Sequence, residues 1–256
     1  MKIGIIGGGD IVNYNKTIEK IEIMTPFGHP SAIIEHEQIN NHDLYVLKRH
    51  GKNHSISASK VNYRANIYAM KELDVDLIIG PTACGSLHEN FMVGDIVLPS
   101  QLIDFTKIRE STFGEYNDVK HVSMALPFCG QLRRRLHETL PLYSKNYHIT
   151  GTLMTIEGPA FSTIAESHFY RNIGAQLINM STATEAKLAR ELGICYQPLS
   201  LITDMDCWDE NESPVTLNQI YDNIKEKAPL TVRNIIRHWV QSLGNTEVYK
   251  CNCCNP

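Results

Sequence analysis

The sequence predicts an α/β fold: a single domain whose mixed or mostly parallel sheet is flanked by helices. Three observations predict it. Short apolar runs rich in β-branched residues recur along the chain, helical patterns separate them, and several runs are apolar at successive positions, as in strands buried on both faces. At 256 residues the chain has room for one large domain of this kind and a sizeable core.

The expected strands are Lys2–Ile6, Leu44–Leu47, Leu77–Ile79, Ile96–Leu98, Thr152–Ile156, Leu177–Met180 and Tyr196–Ile202. Between them, Asn62–Leu73 carries Ala65, Tyr68, Ala69 and Leu73 on one helical face. Ser162–Asn172 reads as a helix entered through Gly158-Pro159, and Thr184–Leu192 reads as another. Thr216–Gln241 reads as a pair of helices or one helix broken at Pro229. No repeat, low-complexity linker or charge block marks a domain boundary. Residues 1–245 are assigned to one catalytic domain and 246–256 to a Cys-rich tail.

Charge narrows the function classes. Lys and Arg number 24 against 28 Asp and Glu, a net −4, which argues against a nucleic-acid or acidic-lipid binder because phosphate backbones call for a clustered positive field. A small anion held by one or two cations stays allowed. No apolar run approaches the length of a membrane span, and the Gly-broken start does not resemble a signal peptide, so a cytoplasmic protein is expected. Of seven cysteines, Cys84, Cys129, Cys195 and Cys207 sit among apolar neighbours and read as small buried hydrophobes. Cys251, Cys253 and Cys254 crowd the end. With no second Cys/His pair nearby in sequence, they read as a redox-labile surface tail, and no metal is expected.

Ligands in such sheets collect at the carboxyl ends of strands. Gly7-Gly8-Gly9-Asp10 there is a turn open enough for backbone N–H groups to approach a phosphate, or simply a tight turn. The dinucleotide pattern is incomplete, because Val12 stands where its last Gly belongs, and no Gly-Lys-Ser/Thr follows. Lys48-Arg49-His50-Gly51 offers a guanidinium suited to bidentate oxyanion contacts, with His50 adding donors and His54 near the same cleft. Thr82-Ala83-Cys84-Gly85-Ser86, after the short run Leu77–Ile79, gives a hydroxyl and room beside it, or is a plain turn. Asp204-Met205-Asp206 places paired carboxylates at the end of a buried strand, where they need partners. Phe161, Ser162 and Met180-Ser181 supply an aromatic face and a thioether suited to a flat ring, or ordinary core.

Taken together these motifs resemble the methylthioadenosine phosphorylases among the trimeric purine nucleoside phosphorylases. The resemblance spans nearly the whole chain and rests on Thr25-Pro26-Phe27-Gly28, Arg49-His50-Gly51, Lys60-Val61-Asn62-Tyr63, Thr82–Ser86, Phe128-Cys129, Ile156-Glu157-Gly158-Pro159 and Asp204-Met205-Asp206-Cys207-Trp208. It implies a sandwich around a mixed, partly barrel-like sheet, a homotrimer, and phosphorolysis of methylthioadenosine with inorganic phosphate as co-substrate and no cofactor. It further implies that phosphate meets Gly9, Arg49, His50, Thr82, Ala83 and Ser181. Met180 would meet the ribose and Phe161 the base, with Asp204 at purine N7 as the catalytic acid, Asp206 facing the 6-amino group and Met205 also among the substrate-binding residues. Leu217, Ile220 and Tyr221 would form the 5′ pocket, joined by His121 from a neighbouring subunit.

Two departures stand out. Gly9 replaces the family's usual hydroxyl residue and Asp10 its usual Gly, which removes one phosphate hydrogen bond. Thr184 precedes Glu185 where Pro is usual, a change read as structural. Oxopurine relatives carry Glu at the position of Ser162 and Asn at that of Asp204, so the sequence favours adenine. A broader nucleoside phosphorylase and a nucleoside-binding protein that has lost phosphorolysis remain the alternatives.

Overall fold

The computed structural model describes residues 1–8, 17–114, 119–209 and 215–245 with Tyr249, Cys251 and Cys253, apart from the side chains of 225 and 227–230. Gly9, Asp10 and Cys254 therefore lie outside the described residues. The strands are β1 (Lys2–Gly7), β2 (Glu19–Ile21), β3 (Ile34–Ile39), β4 (His42–Lys48), β5 (Leu77–Ser86), β6 (Ile96–Val97), β7 (Gln101–Phe105), β8 (Tyr147–His148), β9 (Thr152–Ile156), β10 (Leu177–Asn179) and β11 (Cys195–Asp204). The helices are α1 (Tyr63–Glu72), α2 (Gly130–His137), α3 (Ile164–Asn172), α4 (Thr182–Glu191) and α5 (Leu217–Ser242).

The sheet is mixed, in the order β2-β3-β4-β1-β5-β10-β9-β7, with β11 on β5, β6 on β11 and β8 on β6. It branches at β5, and among the described residues it does not close into a barrel. Strand β5 runs parallel to β1 only over Leu77–Ile79, then pairs antiparallel with β10 at Gly85 and Ser86. On its other edge it stays parallel to β11 almost throughout. Between Ile79 and Gly85 one edge of β5 thus has no strand neighbour among the described residues, and a fork opens in the sheet. Thr82–Ser86 is therefore part of this long strand rather than a turn after a short one, because β11 keeps pairing it beyond the point where β1 leaves.

Alternation of side chains along the strands sorts the core into two faces. Ile3, Ile5, Leu44 and Leu199 pack with Val232, Ile236 and Trp239 of α5. Ile6, Leu47 and Ile78 pack on the opposite face with Ile67 and Met70 of α1 and Leu188 of α4. Helix starts follow their caps: Asn62 accepts from Ala65 N at the head of α1, and Thr163 forms a reciprocal capping box with Glu166 at α3. Helix α5 is one helix across Pro229 rather than two. The proline forfeits a backbone bond, and burial of Val232, Ile235, Ile236, Trp239 and Val240 beyond it outweighs that cost.

The described residues of the Cys-rich tail do not lie loose on the surface as expected. Tyr249 is buried in the main core, and Cys251 and Cys253 pack against it, half-buried. Cys84, Cys129 and Cys195 are buried as expected, whereas Cys207 is half-buried.

Gly80 illustrates how closely β5 is packed. A methyl group there would overlap the Tyr196 hydroxyl, which is itself fully engaged in the core. Gly80→Ala is expected to lower the free energy of unfolding by about 1–3 kcal/mol, the usual range for overpacking. A urea denaturation midpoint equal to that of the wild type would contradict this packing.

Candidate active site

The fork in the sheet opens into a cavity of about 920 Å³. Its walls come from the ends of β4, β5, β10 and β11, the segment after β9, and the first turns of α5. Of the residues expected from sequence, Arg49, His50, Thr82, Ala83, Phe161, Ser162, Met180, Ser181, Asp204, Asp206, Leu217, Ile220 and Tyr221 all line it. Two do not. Met205, just past the end of β11, does not line this cavity and borders only a separate, smaller one that Asp204 and Asp206 also border. His121 is exposed, outside the cavity of its own chain.

Arg49 closes the throat of the fork. It is 2% exposed, and its Nη2 donates to Ile6 O on β1 at 2.7 Å while Nη1 donates to Pro81 O on β5 at 3.2 Å. These are carbonyls near the point where the two strands part. Its Nε and Nη2 also grip the Glu185 carboxylate at 2.5 and 2.9 Å, and Tyr196 donates to the same carboxylate at 2.7 Å. Burial works against the charge on Arg49, and Glu185 outweighs it, so the guanidinium stays charged. The guanidinium fork that the sequence assigned to an oxyanion is therefore held by Glu185, while Arg49 still lines the cavity. Glu185 was missed from sequence. Its signal was an acid among Ala183, Ala186 and Ala189 on the buried face of α4.

His50 differs from the expected donor. Its Nδ1 lies 3.0 Å from Ile56 O, an acceptor only, so Nδ1 carries the proton and Nε2 presents a lone pair. Burial, then Arg49 and His54, push its pKa down to about 3, and His54 stacks on it at 4.2 Å between centroids. The ring is neutral near pH 7.

Asn179 organises the neighbouring wall. It accepts from Thr155 Oγ1 and donates to Thr82 Oγ1 and Thr182 Oγ1, at 3.1, 3.1 and 2.7 Å. This buried network aligns the Thr82 hydroxyl with the N-terminus of α4. There Ser181 is the N-cap residue, makes no side-chain capping bond and faces the cavity. A helix N-terminus beside a strand-end hydroxyl favours an anion. Arg109, also missed from sequence, donates to Met180 O at 2.5 Å and to Glu157 O at 2.6 Å, and so fixes the chain around Met180.

The paired acids stand at the other end. Thr203 Oγ1 donates to Asp204 Oδ2 at 2.8 Å, and the Asp206 N–H donates to Asp204 Oδ1 at 3.0 Å. Ser167 donates to Asp206 Oδ2 at 2.5 Å. Burial pushes both carboxyl groups up, further for Asp204 through repulsion by Asp206. Gly85 makes this placement possible, since a Cβ there would come within 2.7 Å of Asp204 Oδ1. Cys84 lines the same wall, but burial pushes its thiol up to about 12, so it is no nucleophile.

An anion-suited corner facing buried, protonation-prone acids across a cavity in a branched α/β sheet is the architecture of a nucleoside phosphorylase. Residues 2–237 match the Phosphorylase superfamily, to which the chain belongs. S-methyl-5′-thioadenosine phosphorylase of Pyrococcus abyssi is 43% identical, covering 99% of this chain and 96% of its own. That of Danio rerio is 42% identical over 89% of this chain and 84% of its own. Methylthioadenosine phosphorylase from Schistosoma mansoni, solved in complex with adenine, superposes with a TM-score of 0.89 at 35% identity, covering 94% of this chain and 91% of that one. A mutant of the same enzyme solved with methylthioadenosine gives 0.88 at 35% identity, over 94% and 90%. Within the superfamily, the chain is a member of the S-methyl-5′-thioadenosine phosphorylase family.

Glu185 is a positioning residue that acts through Arg49. Glu185→Gln keeps the shape and removes the charge, and it is expected to raise the KM for phosphate at least about 10-fold, the effect of losing about 1.4 kcal/mol. The KM for nucleoside should stay within a factor of about 2, since Glu185 lies away from the acids. Steady-state kinetics with each substrate varied separately decides it. A folded variant with an unchanged phosphate KM would show that Glu185 serves packing alone.

Proposed function

We propose that this chain cleaves S-methyl-5′-thioadenosine with inorganic phosphate, releasing adenine and 5-methylthioribose 1-phosphate. One observation carries the reading: a single cavity holds an anion corner at one end and a buried pair of acids at the other, with apolar side chains from α5 along its side. Phosphate would lie at Thr82, Ala83, Ser181 and Arg49, with His50 Nε2 accepting from its remaining proton. The adenine ring would lie near Phe161 with the ribose at Met180. Its 6-amino group would donate to Asp206, beside the bond that Ser167 already gives that carboxylate.

The chemistry follows from these positions. The C1′–N9 bond breaks with its electron pair going to adenine, and the ribosyl carbon gains oxocarbenium character opposite the phosphate dianion. Asp204, whose pKa burial raises, serves as the general acid that protonates N7 so that adenine leaves neutral. A phosphate oxygen then bonds C1′. No cofactor is required, and no metal is needed at this site. The role fits a cytoplasmic enzyme of purine and methionine salvage.

His121 supports a homotrimer in this reading, because its exposed position suits completion of a neighbour's 5′ pocket rather than its own. Sedimentation is expected to give a trimer, and a fully active monomer would rule this arrangement out.

Asp204→Asn should lower kcat on the order of 10²–10⁴-fold, as for loss of a general acid. A panel of methylthioadenosine, adenosine and inosine, each with and without phosphate, should show phosphate-dependent adenine release and poor use of inosine. Nucleoside binding without phosphate-dependent cleavage, or near-normal kcat in the variant, would overturn the assignment.

The 5′ side is apolar at Leu217 and Ile220 and adds the Tyr221 ring, edge-on to His54. Burying a methylthio group rather than a hydroxyl favours methylthioadenosine by about 2–4 kcal/mol, roughly 30- to 1,000-fold in kcat/KM. The low end is expected, since Tyr221 and a neighbour's His121 both offer hydrogen bonds to a 5′-hydroxyl. Tyr221→Leu should widen the preference by weakening adenosine selectively. Equal loss for both nucleosides would show that Tyr221 does not meet the 5′ group.

A further inference from the structure

We infer that Cys129, Cys195, Cys251 and Cys253 form a structural tetrathiolate site for a zinc-class metal ion, remote from the nucleoside cavity. Three segments converge there. Cys129 precedes α2, Cys195 opens β11, and Cys251 and Cys253 come from the end of the chain. Their four sulfurs lie within 4.8 Å of one another, with Cys129 to Cys251 at 3.6 Å and Cys195 to Cys253 at 3.4 Å. A tetrahedron of sulfurs about 2.3 Å from zinc has edges of about 3.8 Å, so a slight adjustment of these side chains makes the cage. The closest pairs are well beyond the about 2.05 Å of a disulfide bond.

The surroundings fit thiolates. Cys129 is the N-cap residue of α2, where its sulfur accepts the Leu132 N–H at 3.4 Å and meets the positive end of the helix. The Tyr249 hydroxyl lies 2.8 Å from the same sulfur and Arg135 stacks over the Tyr249 ring, while the Cys253 N–H donates to Cys251 Sγ at 3.4 Å. Outer donors of this kind offset the net −2 charge of a divalent ion held by four thiolates. Two sulfurs are buried and two half-buried, which suits a closed structural site with no open coordination position. Sequence spacing concealed it, because the tail's partner cysteines lie 122 and 58 residues away. Cys195 and Asp204 stand at opposite ends of β11, so a metal here ties the end of the chain to the strand that carries the acids without touching substrate.

The test uses the whole chain, reduced and stripped with a chelator, then titrated with Co²⁺ alone. The expected result is one Co²⁺ per chain with the intense visible bands of tetrahedral cobalt thiolate, displaced by Zn²⁺. Zinc at about 1,000 times its Kd should raise Tm by about 8–16 °C. Cys251→Ser/Cys253→Ser should lose the bands and the Tm rise while retaining phosphorolysis, which reports that the variant is folded. Absence of the bands in the reduced wild type would overturn the proposal. So would bands that persist in the double variant, or a native protein whose mass shows two disulfides and no bound metal.

Discussion

The structure depends on the buried contact between Arg49 and Glu185. Strands β1 and β5 separate after a few paired residues, and a parting of strands inside a sheet leaves backbone carbonyls facing no partner. Arg49 covers two of them, Ile6 O and Pro81 O, and Glu185 balances the charge brought in to do so. A buried ion pair of this kind contributes little net stability compared with a well-packed apolar pair, yet removing one partner costs about 3–5 kcal/mol. Its worth lies in geometry. It holds the fork open at a fixed width, and the cavity is that fork.

Once the fork is held, the other site groups follow from the strands that border it. Asn179 on β10 ties Thr82 on β5 to the head of α4, which sets a hydroxyl and a helix N-terminus at one corner. The last residues of β11 carry the acids to the far end, where Gly85 gives them room. Asn223 of α5 donates to Thr203 O at 2.7 Å, so the helix supplying the apolar side of the cavity is registered to the same strand. The separation of charge is chemically useful. The anion corner is rich in donors, whereas the acids sit where burial favours their protonated forms, so one cavity can hold a phosphate dianion and release a proton to a leaving base.

Much of this was legible in the sequence. Strand Thr152–Ile156 lies where its apolar run predicts it, and the helices starting near Asn62 and Thr163 begin at residues able to cap them. The residues that line the cavity were named through the family resemblance, since hydroxyls, small residues and paired acids at the ends of apolar runs, read alone, fit a turn or a core as well. What sequence hid were residues that act through others. Glu185 and Arg109 act on the cavity by way of Arg49 and Met180, and a local pattern, such as an acid on a small apolar helix face, does not say which partner 136 or 71 residues away it meets.

The sequence by itself determined the α/β class, which follows from residue type and short-range pattern, and through the resemblance of its ordered motifs it implied the family and the chemical kind of each wall of the cavity. Tertiary structure alone decided where β5 changes partners, because strand length depends on which neighbours keep pairing it. It also decided that His50 stands neutral with Nδ1 committed to Ile56, since protonation depends on burial and nearby charge. It left Met205 outside the cavity and carried α5 unbroken across Pro229, where burial beyond the proline exceeds the lost hydrogen bond. And it gathered four cysteines, scattered along the chain, to within 4.8 Å of one another. Side-chain chemistry is written locally, whereas the distance between two side chains is set by the packing of everything between them.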